Sequence, residues 1–110
     1  MAVERKIVLT DNVDIFFEEL LRILFEKEYF GFLDAAKAYH DRLAFYINKY
    51  IGILQGKDAP PYFNRYGSNL KYITYRANKA TLWYIFYQQW DNVYLIRHIT
   101  NNHVAAQYFE

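Results

Sequence analysis

Thr81-Leu82-Trp83-Tyr84-Ile85-Phe86-Tyr87 is an unbroken apolar and aromatic run. It is too short for a typical helix and does not alternate, so it reads as a central strand buried on both faces. Before it, Leu70–Arg76 alternates with period two, and Ala77–Ala80 supplies a turn. After it, Gln88–Asn92 turns the chain into Val93–Ile99, the third strand of a meander. The meander is bounded upstream by Gly56–Pro61, the clearest breaker in the chain, where the hydrophobic period changes.

Upstream of the breaker the period is helical. Arg5–Leu9 reads as a short strand, and Thr10 or Asp11 as the N-cap of a helix with Asp14 in its first turn. Val13, Phe16, Phe17, Leu20 and Leu21 then recur at helical spacing. Gly31 punctuates that helix, and a second is predicted from Phe32 to Leu54, roughly 35 Å long at 1.5 Å per residue. One short Gly-marked turn predicts an antiparallel helical hairpin. Downstream, Asn101-Asn102 interrupts the last strand and His103–Phe109 suits a short terminal helix. The order βααβββ predicts a single α+β domain over residues 1–110, a two-layer sandwich. Two helices cover one sheet face, and the other is open or covered only by the C-terminal segment.

Composition excludes several classes. The chain has no cysteine, which rules out disulfides, thiolate metal sites and a cysteine nucleophile. Its apolar runs are far shorter than a membrane helix needs, and Met1–Thr10 does not read as a signal peptide. A cytoplasmic protein with no membrane contact is expected. The four glycines are scattered and Ser68 is the only serine, so neither a phosphate loop nor a serine triad is expected. Glu18-Glu19 reads as a solvated helix face, and neither metal nor cofactor is expected. The net charge of +1 conceals a polarity: residues 1–55 hold seven Lys/Arg against nine Asp/Glu, and residues 56–110 hold six against three. The basic half also carries both Trp and eight of the twelve Tyr. Cations interleaved with aromatics suit phosphate contacts and base stacking, although a weakly polarised surface explains them equally well.

The chain resembles the RelE/ParE superfamily of toxins from type II toxin–antitoxin modules. The resemblance runs from Ile7-Val8-Leu9-Thr10, through Leu82–Tyr87 and the acidic turn at Asp91-Asn92, to Val93–Ile99. It is similar there to the family's arginine-isoleucine-x-tyrosine strand, acidic turn and final aliphatic strand. The resemblance implies a growth-inhibiting toxin held by a cognate antitoxin. It acts either as a ribosome-dependent messenger-RNA endonuclease or, without catalysis, as an inhibitor of DNA gyrase or another partner.

RNA cleavage needs a base, cations to offset charge on the phosphorane and an acid for the leaving oxygen. By the resemblance, His103 and Tyr108 are the proton-transfer candidates, and Lys71, Arg76 and Arg97 the phosphate contacts. Trp83 stands where the family carries arginine, so it can stack on a base and cannot neutralise a phosphate. Lys71 and Arg76 lie five apart and point to opposite faces. Strict alternation would also separate Arg97 from His98, and would group Arg97 with Val93, Leu95 and Ile99. For Arg97 an ion pair to a helix is as good a reading as a phosphate contact. His98 reads as a structural histidine and His40 as a surface one. Exposed aromatics also suit a homodimer interface.

Overall fold

The computed structural model describes residues 4–26 and 33–109. The elements are β1 (Lys6–Leu9), α1 (Asp11–Glu26), α2 (Leu33–Tyr50), β2 (Lys57–Asp58), β3 (Lys71–Arg76), β4 (Leu82–Trp90), β5 (Val93–Asn101) and α3 (Asn102–Ala105). Two 3-10 turns, Pro61–Tyr66 and Ala106–Phe109, complete the set. The predicted Gly31 turn and Phe32 lie outside the described residues. The architecture is α+β, built on one five-stranded sheet in the order β1-β5-β4-β3-β2. β1 runs parallel to β5, and every other pairing is antiparallel. Among the described residues no helix is long and apolar enough to cross a membrane.

Both helices follow from their apolar spacing. Val13 and Leu20 of α1, with Ala36, Leu43 and Ile47 of α2, are buried against Ile73, Ile85, Ile96 and Ile99 of the sheet. Tyr46 donates from its phenol to the Thr74 carbonyl at 2.7 Å, tying α2 to β3. The predicted second helix ends earlier than Leu54, at Tyr50. Ile53 and Leu54 both donate their N–H to the Tyr50 carbonyl, and Gly52 takes φ +81°. A side chain is excluded at Gly52 twice over, because a Cβ there would run into the Tyr94 ring.

The second sheet face departs from expectation. It is neither open nor covered by the C-terminal segment alone. The breaker continues into a strap, Pro61–Tyr66, which crosses this face and inserts Phe63 at 1% exposure. Phe63, Leu70, Tyr84, Phe86 and Ala105 form a second core, flanked by Tyr62, Tyr72, Tyr108 and Phe109. The sheet therefore has a packed layer on each side. This is why β4 shows no alternation: Trp83 through Tyr87 are all buried.

The β4–β5 hairpin is longer than the sequence predicted. β4 runs to Trp90, and the connection shrinks to Asp91-Asn92, with Asp91 at φ +53°. Asp tolerates this left-handed conformation in tight turns. The pairing then slips between Phe86 and Tyr87: Phe86 faces His98 while Tyr87 faces Ile96. Arg97 is the additional residue of a β-bulge. A bulge reverses the side-chain alternation beyond it. Ile99 consequently joins Tyr94 and Ile96 in the helix-side core, and His98 turns to the strap side.

Candidate functional site

The six residues singled out for RNA chemistry do not meet at one place. Lys71 begins β3, opposite Tyr87 and on the helix side, and is ion-paired with Asp58. Arg76 ends the same strand on the strap side, opposite Leu82. Its guanidinium donates to the carbonyls of Asn78 and Lys79 at 3.4 and 3.2 Å, closing the turn to β4. Lys71 and Arg76 thus occupy opposite faces, as their spacing requires.

Arg97 and His98, which alternation would separate, both meet the strap residue Tyr66 because of the bulge. Arg97 Nε donates to the Tyr66 carbonyl at 2.8 Å. The His98 ring stacks on the Tyr66 ring at 3.8 Å with a 6° interplanar angle. Burial lowers the His98 pKa from 6.5 to about 4, so the ring is neutral near pH 7. Among the described residues the Arg97 side chain makes no ion pair with a helix carboxylate. Its guanidinium instead donates to a backbone carbonyl and fixes the strap.

Tyr108 belongs to the same strap-side layer. Its ring lies 3.5 Å from that of Tyr62 at 5°, and the Arg65 guanidinium sits 3.9 Å from the Tyr62 ring centre. Trp83 lies across the sheet from this stack, on the helix side. It is 6% exposed, packs edge-on against Phe16 at 5.7 Å, and donates from Nε1 to the Tyr39 hydroxyl at 2.9 Å. The ring is thus a wall of the helix-side core, where the sequence suggested an open stacking platform. Burial also raises the Tyr39 phenol pKa, so the acceptor remains a neutral hydroxyl.

That bond gives a direct test of the packing. Tyr39→Phe deprives an enclosed indole N–H of this acceptor and should cost about 1–3 kcal/mol of unfolding free energy. Denaturant unfolding measures it. In the double variant with Trp83→Phe, the loss should be clearly smaller than the sum of the two single losses.

His103 borders a cleft. Its Nε2 lies 3.0 Å from Thr81 Oγ1, and its backbone N–H donates to Asn101 Oδ1 at 2.9 Å, the N-cap bond of α3. The cleft, about 660 Å³, lies between α1, α2 and the ends of β4 and β5. Phe16, Leu20, Tyr39, Trp83 and Ile99 line its interior, and Asn78, Thr81, Asn101 and His103 its polar side. Of the predicted set, only Trp83 and His103 share this cavity. Sequence reading missed Thr81, Asn78 and Tyr39 as companions of His103. Their proximity depends on the pairing of Trp83 with Asn101, which joins positions 18 apart in the chain. Asn101-Asn102 stood out in the sequence as a break, and is in fact a cap and a brace: Asn102 accepts from Leu82 N–H and donates to the Ala80 carbonyl.

Among the described residues no cluster of His, Asp and Glu has the arrangement to hold a metal ion. His40 lies beside Asp41, with Nδ1 2.9 Å from its carboxylate, and its ring meets the edge of Phe17. No protein-family model, curated protein or solved structure matches the chain.

Proposed function

We propose that this chain is a non-catalytic binding module of RelE/ParE-like type: a toxin component that inhibits growth by holding an essential partner and is neutralised by an antitoxin. Dispersal of the candidate nuclease groups supports binding over catalysis. Arg76, Arg97 and Tyr108 lie on the strap side of the sheet, while Trp83 and His103 lie on the helix side, where Lys71 sits at the opposite end of β3 from the His103 cleft. A phosphorane needs its base, acid and cations around one atom, and a sheet between them prevents that. The order of strands and helices supports the toxin-like scaffold. Large apolar side chains left in solvent, Phe45 at 64% and Trp90 at 56% exposure, are suited to protein contacts. Gyrase or another protein is accordingly the preferred target class over messenger RNA on the ribosome.

Induced expression in a bacterial host separates these readings. The wild type should arrest growth, and His103→Ala and Tyr108→Phe should arrest it equally. Loss of arrest in both variants, with soluble folded protein, would return the mechanism to RNA cleavage. Normal growth with abundant soluble wild type would remove the toxin reading altogether.

A further inference from the structure

The cleft beside His103 has the anatomy of a small-molecule site, and this holds whether or not the chain is a toxin. Its volume, about 660 Å³, lies within the range of ligand pockets, and its walls are mainly aromatic and aliphatic. Such a cavity is selective through the few polar groups at its edge. What those groups can still offer is set by the bonds they already make.

Asn78 Oδ1 accepts from the N–H groups of Ala80 and Thr81, both at 2.9 Å. Asn101 Oδ1 accepts from His103 N–H. In both residues the backbone has taken the carbonyl end of the amide. The NH2 end of each has no partner among the described residues. Thr81 and His103 add a hydroxyl and an imidazole, already paired with one another. Among the described residues, the polar side of the cleft therefore presents hydrogen-bond donors and no Lys or Arg. The one carboxylate among the described lining residues, Glu19, is ion-paired with Arg22 on the solvent side of α1 and opposes an anionic guest. The complementary guest has a flat apolar body, a carbonyl acceptor and no charge.

We propose that this cleft binds a small uncharged aromatic carbonyl compound, of the class of aromatic amides. Its ring packs among Phe16, Leu20 and Trp83, and its carbonyl oxygen accepts from the Asn78 and Asn101 amides. The aromatic walls contribute affinity through apolar burial and ring–ring contact. The two amides supply selectivity, because a guest without an acceptor leaves their donors unpaired.

Benzamide is the probe, and Trp83 the reporter. Trp90 lies outside the cleft and is 56% exposed, so Trp90→Phe leaves Trp83 as the sole tryptophan of an otherwise intact chain. Benzamide should change its emission saturably, and benzoate should bind at least tenfold more weakly. Asn78→Asp and Asn101→Asp keep the oxygen that caps the backbone and replace only the NH2 donor. Each should weaken benzamide at least tenfold, with the thermal unfolding midpoint within a few degrees of the parent. Linear, non-saturating quenching by benzamide would overturn the proposal. So would unchanged affinity in both Asp variants, or benzoate binding as tightly as benzamide. Growth arrest is not read in any of these measurements, so the toxin reading stands or falls separately.

Discussion

Phe86→Ala is expected to lower the unfolding free energy by about 3–5 kcal/mol, a large part of the total stability of a small domain. Phe86 is fully buried at the middle of β4 and faces the strap. Phe63 stacks on it at 4.4 Å, Tyr72 and His98 flank it at 5.7 Å, and Phe109 closes the cluster at 6.2 Å. Removing the ring forfeits its transfer energy and leaves a void that the neighbours cannot easily fill. Tyr72 and His98 are the residues paired with Phe86 on the adjacent strands, so the ladder holds both at fixed spacing. Collapse would have to come from the strap, and Arg97 pins that at the Tyr66 carbonyl. Trp90→Ala is the control: this large ring on the same strand is mostly in solvent and should cost within about 0.5 kcal/mol. Denaturant titration with linear extrapolation measures both. A loss below about 1 kcal/mol for Phe86→Ala would mean that the strap layer opens independently of the domain, and that only the helix-side core unfolds cooperatively.

The same β4 run marks how far the sequence could be read. Its unbroken apolar character announced a strand covered on both faces, and the helical spacing of Val13, Leu20, Leu43 and Ile47 announced the layer on one of them. The second cover was harder to foresee. Phe63 sits in Pro60-Pro61-Tyr62-Phe63-Asn64-Arg65, a short stretch opened by two prolines that reads as a loop. Only the strand pairing shows that this loop crosses a sheet face. Alternation places residues relative to one another without saying which face the helices take, so a recognition role for Trp83 is the natural sequence reading, while its partners in the fold are Phe16 and Tyr39. Arg97 illustrates a different obstacle. A one-residue slip in β5 leaves no local mark, since Ile96-Arg97-His98-Ile99 reads equally well as regular strand. That slip decides which core Ile99 enters and brings Arg97 and His98 to the same strap residue. The parallel pairing of β1 with β5 lies further beyond local pattern, because it joins Ile7 to Tyr94 across nearly the whole chain. Among the site candidates, residue types were legible and convergence was not, because convergence is a property of register.

Lowering the pH from about 6.5 towards 4 should erode stability through His98, and His98→Phe should remove that component. In the unfolded chain the imidazole titrates at its ordinary value of 6.5; in the folded protein, burial lowers this to about 4. Protonation would place a charge against the rings of Tyr66, Phe63 and Phe86, with the Arg97 guanidinium held at the Tyr66 carbonyl close by. Between the two pKa values the unfolded state binds the proton and the folded state does not, so stability rises with pH across that window. The contribution is fully present above 6.5, falls as the pH drops through the window, and changes no further well below 4. The separation of the two values bounds the effect at about 3 kcal/mol, and solvent reaching a partly buried ring reduces it to about 1–2 kcal/mol. Carboxylates begin to titrate at the lower end of this window, so the comparison between wild type and variant isolates the histidine. Phenylalanine keeps an aromatic partner for Tyr66 and deletes the titrating group. Unfolding free energies at pH 7 and pH 4.5 should fall by about 1–2 kcal/mol more in wild type than in His98→Phe. Equal losses would show that the ring accepts its proton without disturbing the strap, and that the stack on Tyr66 tolerates a cation.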